Sequence, residues 1–87
     1  MPYIKAEKRG LYNGHIEQLV NIFEQQPLME VDGDLNYVVT SIFKKLYTPK
    51  YFNYNRAIGV LEAIKQEFYR RVVAPYEDIK IEENGDV

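Results

Sequence analysis

Apolar residues in this chain recur in three separate runs at helical spacing, and each run predicts one amphipathic helix. Ile16, Leu19, Val20 and Phe23 fall at i, i+3, i+4 and i+7, which lines one face of a helix over about residues 13–25. Asn13 can cap its start by accepting an orphan amide of the first turn. Gln25-Gln26-Pro27 ends it, because the residue before proline is pushed out of helical geometry. A second run, Leu35, Val38, Val39, Ile42 and Leu46, predicts a helix over 34–47 after a loop at 29–34, with Asp34 as N-cap. Lys44 and Lys45 complement the negative end of its dipole, and Thr48-Pro49 stops it.

The third run is the longest. Ala57, Val60, Leu61, Ile64, Phe68 and Val72 predict a helix over about 56–73, roughly 27 Å at 1.5 Å per residue. An aromatic connector at 51–55 precedes it, with Asn53 or Asn55 as cap, and Pro75 closes it. Gly59 inside it costs ~1 kcal/mol against alanine, which implies that another backbone approaches closely there.

The ends read differently. Residues 2–6, with Pro2 before Tyr3 and Ile4, are expected to be extended. Asp78-Ile79-Lys80-Ile81-Glu82 alternates like a strand, and Asn84-Gly85 is a favoured tight-turn pair. Ile79 and Ile81 are therefore expected to dock on the helices or to pair with residues 3–5. The expected fold is mainly α: a small three-helix bundle or helical hairpin with a short extended C-terminal tail at 78–82, in one domain over residues 1–87.

Size sharpens this picture. At 87 residues a compact chain hides only ~60–65% of its unfolded surface, so self-association is an attractive supplement. Eight tyrosines and no tryptophan supply rings suited to half-buried surfaces. With no cysteine, neither a disulfide nor a thiolate metal site can form. No apolar run reaches the ~18 residues of a membrane span, and the N-terminus lacks a signal peptide's apolar stretch, so a cytoplasmic location is expected.

The net charge of −2 conceals a segregation: residues 1–43 carry −3, residues 44–71 carry +5 and residues 72–87 carry −4. Net acidity argues against general nucleic-acid binding, and so does the connection of about eight residues around Lys44, Lys45, Lys50 and Arg56, too long for a helix-turn-helix.

Candidate chemistry is sparse. Asp32-Gly33-Asp34-Leu35-Asn36 opens like a calcium loop, but Tyr37 stands where the glycine is required and Phe43 where the closing glutamate is required, so helix capping explains it. His15 is the one histidine and Ser41 the one serine, with no partner placed to activate either. No catalytic residue, metal ligand set or cofactor is expected. What stands out is Glu67-Phe68-Tyr69-Arg70-Arg71-Val72-Val73-Ala74-Pro75-Tyr76-Glu77-Asp78, two arginines between two tyrosines. Glu67 can pair with Arg70 or Arg71 at i+3 or i+4, yet two guanidinium forks exceed what one carboxylate needs. Tyr69, Val73 and Tyr76 form a second apolar stripe, suited to another subunit.

Gly33-Asp34-Leu35-Asn36-Tyr37-Val38-Val39-Thr40 and the segment from Glu67 to Val87, which ends Glu83-Asn84-Gly85-Asp86-Val87, resemble a family of short, uncharacterised proteins from bacteria and their phages. The resemblance implies a phage or mobile-element setting, where small non-enzymatic proteins inhibit or sequester host components.

The functional expectation is a non-enzymatic homo-oligomer that sequesters an anionic small molecule such as a nucleotide signal. Arg70 and Arg71 would pair with phosphate, Tyr69, Tyr76 or Tyr37 would stack on or hydrogen-bond to a base, and Asn36 would read an edge. The alternative is a protein-interaction module, a phage or bacterial inhibitor or adaptor, docking through the tyrosine and arginine surface.

Overall fold

A computed structural model describes residues 3–87. The expectation for Pro2 lies outside the described residues. The chain divides into two units, Tyr3–Thr48 and Pro49–Val87. The fold is mainly α, and among the described residues there is no strand.

In the first unit a 3-10 turn, Ala6–Lys8, runs into α1, Gly10–Phe23. The helix starts before Asn13 because Arg9 already has helical dihedrals and its carbonyl accepts the Asn13 amide at 3.1 Å. Asn13 therefore sits inside the first turn and is not its cap. The helix ends at Phe23, two residues before the expected Gln25; the Gln25 and Gln26 amides close on the Ile22 and Phe23 carbonyls in a tighter turn, and Pro27 follows, extended at ψ 145°.

α2, Leu28–Leu46, begins six residues before the expected Asp34. Pro27 explains the early start: its fixed φ of −59° and free carbonyl suit the position before a helix, and the Glu30 amide bonds to that carbonyl at 2.9 Å. Glu30 also places negative charge on the positive end of the dipole. The residues expected to form a loop, 29–34, are helical. Asp34 is not an N-cap; its carboxylate instead accepts a hydrogen bond from the Gln26 side-chain amide, tying the interhelical turn to the second turn of α2. Lys44 and Lys45 occupy the last turn as predicted, and Tyr47 leaves helical geometry just ahead of Thr48-Pro49. Phe43 and Tyr47 pack ring to ring at 5.4 Å.

The second unit is built on one long helix. α3, Tyr51–Phe68, starts five residues before the expected Arg56, after Lys50 in extended geometry, so 51–55 is helix and neither Asn53 nor Asn55 is its cap. The Tyr54 amide closes the first turn on the Lys50 carbonyl at 2.9 Å. Pro75 does not end the helix. A π turn, Tyr69–Val73, leads directly into α4, Ala74–Asn84. Proline lacks the N–H that the Arg71 carbonyl would normally receive and its ring crowds that carbonyl. The wider turn relieves the conflict: the Ala74 amide reaches back five residues to the Tyr69 carbonyl, and the backbone stays helical on both sides.

The segment 78–82, expected to be extended, lies inside α4. Its alternation had no second strand to pair with, whereas a helix satisfies its own amides and carbonyls. Lys80–Glu83 at 3.5 Å and Lys80 over the Tyr76 ring at 5.5 Å add local support. Gly85 ends the helix at φ 88°, its amide on the Ile81 carbonyl at 2.8 Å, a conformation that disfavours any residue with a Cβ. Gly59, by contrast, has open space where a Cβ would stand, so the close backbone approach expected there is not made within this chain.

Burial is scarce. Ala57, 9% exposed, is the one buried residue among those described. α1 and α2 make little contact beyond their connecting turn, which leaves a concavity of about 330 Å³ lined by Val20, Phe23, Gln26, Leu28 and Val31. Leu28 and Met29 are 80% and 88% exposed, and the stripe of α3 is exposed apart from Ala57.

Candidate functional site

The tyrosine and arginine segment falls on the π turn and the first turn of α4, which decides how its side chains are spaced. In a regular helix residues eight apart lie more than two turns from each other. Across the π turn, the Tyr69 hydroxyl donates to Glu77 Oε1 at 2.6 Å. That bond, with the carboxylate's negative charge, stabilises the neutral phenol and raises the Tyr69 pKa above its ordinary value. Nearby Asp78 acts in the same direction.

The arginines diverge. Arg70 Nη2 lies 3.3 Å from Glu67 Oε1, the i, i+3 pairing the spacing allowed. Arg71 projects elsewhere, exposed, with no ion pair among the described residues. Tyr76 is 60% exposed and carries the Lys80 ammonium over its face. Tyr69, Arg70, Arg71 and Tyr76 thus share one short helical segment, and Arg71 is its uncommitted cation. Upstream, Glu62 accepts hydrogen bonds from Gln66 at 3.1 Å and faces Lys65 at 3.1 Å; the Gln66 bond, then Lys65, holds its carboxyl below the ordinary range.

Asn36 and Tyr37 lie in the first unit, on α2. Asn36 Oδ1 accepts from the Thr40 hydroxyl at 3.2 Å, and Tyr37 is 73% exposed. Together with Asp32, Thr40, Ser41 and Lys44 they line an open groove of about 560 Å³ along that helix. The six candidates therefore form two groups, one on each unit.

His15 stands on α1 and Ser41 on α2. Among the described residues no group of three or more His, Cys, Asp or Glu side chains is placed to hold a metal ion. Glu77 and Lys80, which engage the two tyrosines, were not among the sequence-derived candidates. The available signal was Pro75, the one proline or glycine between Val60 and Asn84, a setting in which a wider turn can absorb the proline and draw residues 69 and 77 together.

Among the described residues no helix is long and apolar enough to cross a membrane. Comparison with curated proteins and with solved structures finds no match. A family model does match, along residues 1–87, and the chain accordingly belongs to the family described as Domain of unknown function (DUF6899).

Proposed function

We propose that this chain is a non-enzymatic helical binding protein, a protein-interaction module that completes its core by associating with protein. The observation that carries this reading is the exposure of the apolar stripes. Ala57 alone is buried among the described residues, while Ile16, Leu35, Ile42, Ile64, Phe68 and Val72 are all 45% exposed or more. Ordering a residue costs ~1–2 kcal/mol of backbone entropy, and fully burying one large apolar side chain recovers ~1.5–3 kcal/mol. Half-exposed stripes recover too little on their own, so the apolar faces are completed across molecules. The exposed tyrosines serve as anchors in such a surface. The resemblance to bacterial and phage proteins supports a cytoplasmic inhibitor or adaptor role.

Arg71 favours a second reading, the sequestration of an anionic small molecule such as a nucleotide. Arg71, which has no ion pair among the described residues, shares one short helical segment with the exposed Tyr69 and Tyr76, a combination suited to a phosphate with an attached planar group, with Arg70 joining when it leaves Glu67.

Thermal denaturation separates the readings. Under the first, the midpoint rises with the concentration of the chain itself or of the protein that covers it and is unmoved by cyclic or linear nucleotides. Under the second, nucleotides raise it, and Arg70→Ala with Arg71→Ala removes the rise. A midpoint independent of the chain's own concentration, of any added protein partner and of nucleotide rejects both.

A further inference from the structure

We infer that a second copy of this chain covers the apolar face of the α3–α4 helix, the two helices running antiparallel about a midpoint at Tyr69. This rests on the reading that association completes the core. Leu61, Ile64, Phe68, Val72, Tyr76 and Ile79 recur every three or four residues through α3, the π turn and α4, each 37–60% exposed. At ~100 Å² apiece they offer roughly 600 Å² per copy, most of the about 800 Å² that each partner gives to a stable interface.

The flanking charges select the occupant. At about 100° of rotation per residue, with the π turn slightly unwound, Arg56, Glu67, Arg71 and Glu82 all lie along one side of this stripe. Arg56, Arg71 and Glu82 have no ion-pair partner among the described residues. An antiparallel twofold pairing sets residues equally far from the midpoint level with each other. About Tyr69, Arg56 meets Glu82 of the other copy and Glu67 meets Arg71 of the other copy. Symmetry repeats both, giving four opposite-charge pairs, while Ile64 packs beside Val72 and Leu61 beside Tyr76 across the interface. The midpoint also lies within one turn of the centre of the helix spanning 51–84, so nearly its whole length overlaps. A parallel pairing would carry the charged flanks of the two copies to opposite sides of the seam and would form none of these pairs. Exposed pairs of this kind contribute mainly orientation and partner choice, and the apolar stripe contributes affinity.

Here Arg71 serves the other copy, whereas the nucleotide reading keeps it for a ligand, so the two are separable. Sedimentation equilibrium of the full chain at low salt is expected to show a dimer. Arg56→Glu with Arg71→Glu creates four like-charge pairs and should weaken that dimer about tenfold or more. Adding Glu67→Arg and Glu82→Arg to the same chain re-creates four opposite-charge pairs and should restore the dimer to within about threefold of the original.

Orientation is read separately, because the chain has no cysteine. Copies bearing Arg56→Cys, mixed with copies bearing Glu82→Cys, should join through a short thiol-reactive crosslinker, while neither variant joins to itself. Self-crosslinking of Arg56→Cys, or failure of the fourfold swap to restore association, overturns the pairing. A monomer that forms a defined complex with a different protein overturns the pairing and leaves the proposed function standing. A monomer that is fully helical alone and binds nothing overturns both.

Discussion

The Tyr69 hydroxyl and the Glu77 carboxylate are eight residues apart and 2.6 Å from each other, a contact that the π turn ahead of Pro75 makes possible. It locks the phenol of one candidate site residue onto the helix that follows.

One consequence is a specific titration. Glu77 raises the Tyr69 pKa by favouring the neutral phenol, so the bond's stabilisation is fully present below the phenol's unfolded pKa and is lost as pH climbs through its folded pKa. In Glu77→Gln, the phenolate absorbance of Tyr69 should appear at lower pH than in the parent. The comparison is cleanest as a difference titration against Tyr69→Phe.

Pro75 should be costly to the helix and yet dispensable for folding. Pro75→Ala supplies the missing amide and removes the crowding of the Arg71 carbonyl, so thermal stability by circular dichroism should rise by about 1–2 kcal/mol. The same change relaxes the π turn, and nuclear magnetic resonance should then show Tyr69 detached from Glu77. Retention of their contact would mean that something other than proline maintains the turn.

Phe68 is 60% exposed. Phe68→Ser should therefore lower the stability of the isolated chain by less than about 1 kcal/mol, since an exposed ring contributes only part of its burial free energy. Its effect on association should be far larger. Unfolding midpoints at two protein concentrations, converging in the variant and separated in the parent, provide the measurement.

Gly59 tests the opposite face. No atom lies within 4 Å of a Cβ added there, and its backbone is ordinary helix, so Gly59→Ala should stabilise the chain by about 0.5–1 kcal/mol. Gly59 stands across the helix from Phe68, so the substitution should leave the dimer constant unchanged. A weakened dimer would show that a second backbone does approach at Gly59.

Helix type was legible from local spacing, because an amphipathic repeat needs only residues three and four apart. The three stripes are in place, and so is the stop at Thr48-Pro49. Helix starts were less legible. Asn13, Asp34 and Asn55 have capping side chains, yet the helices begin upstream, where Arg9, Pro27 and Lys50 already set the backbone. Good capping residues are also tolerated inside a helix when a neighbour occupies them, as Gln26 does for Asp34. The tail misled for a related reason: Ile79 and Ile81 alternate, but alternation specifies a strand only where another strand accepts its hydrogen bonds.

The candidate site divided along the same line. Two arginines after Glu67 announced a charged segment, and the i, i+3 pairing of Arg70 followed from spacing alone. Sequence by itself determined the helical class, the three apolar stripes and the segregation of charge, since all of these depend on residues within a turn or two. Only tertiary structure decided that Pro75 would be absorbed in a wider turn, that Tyr69 would reach Glu77, and that the stripes would stay uncovered. Those outcomes depend on how far the backbone can adjust and on which surfaces meet, and neither is encoded in a neighbouring residue.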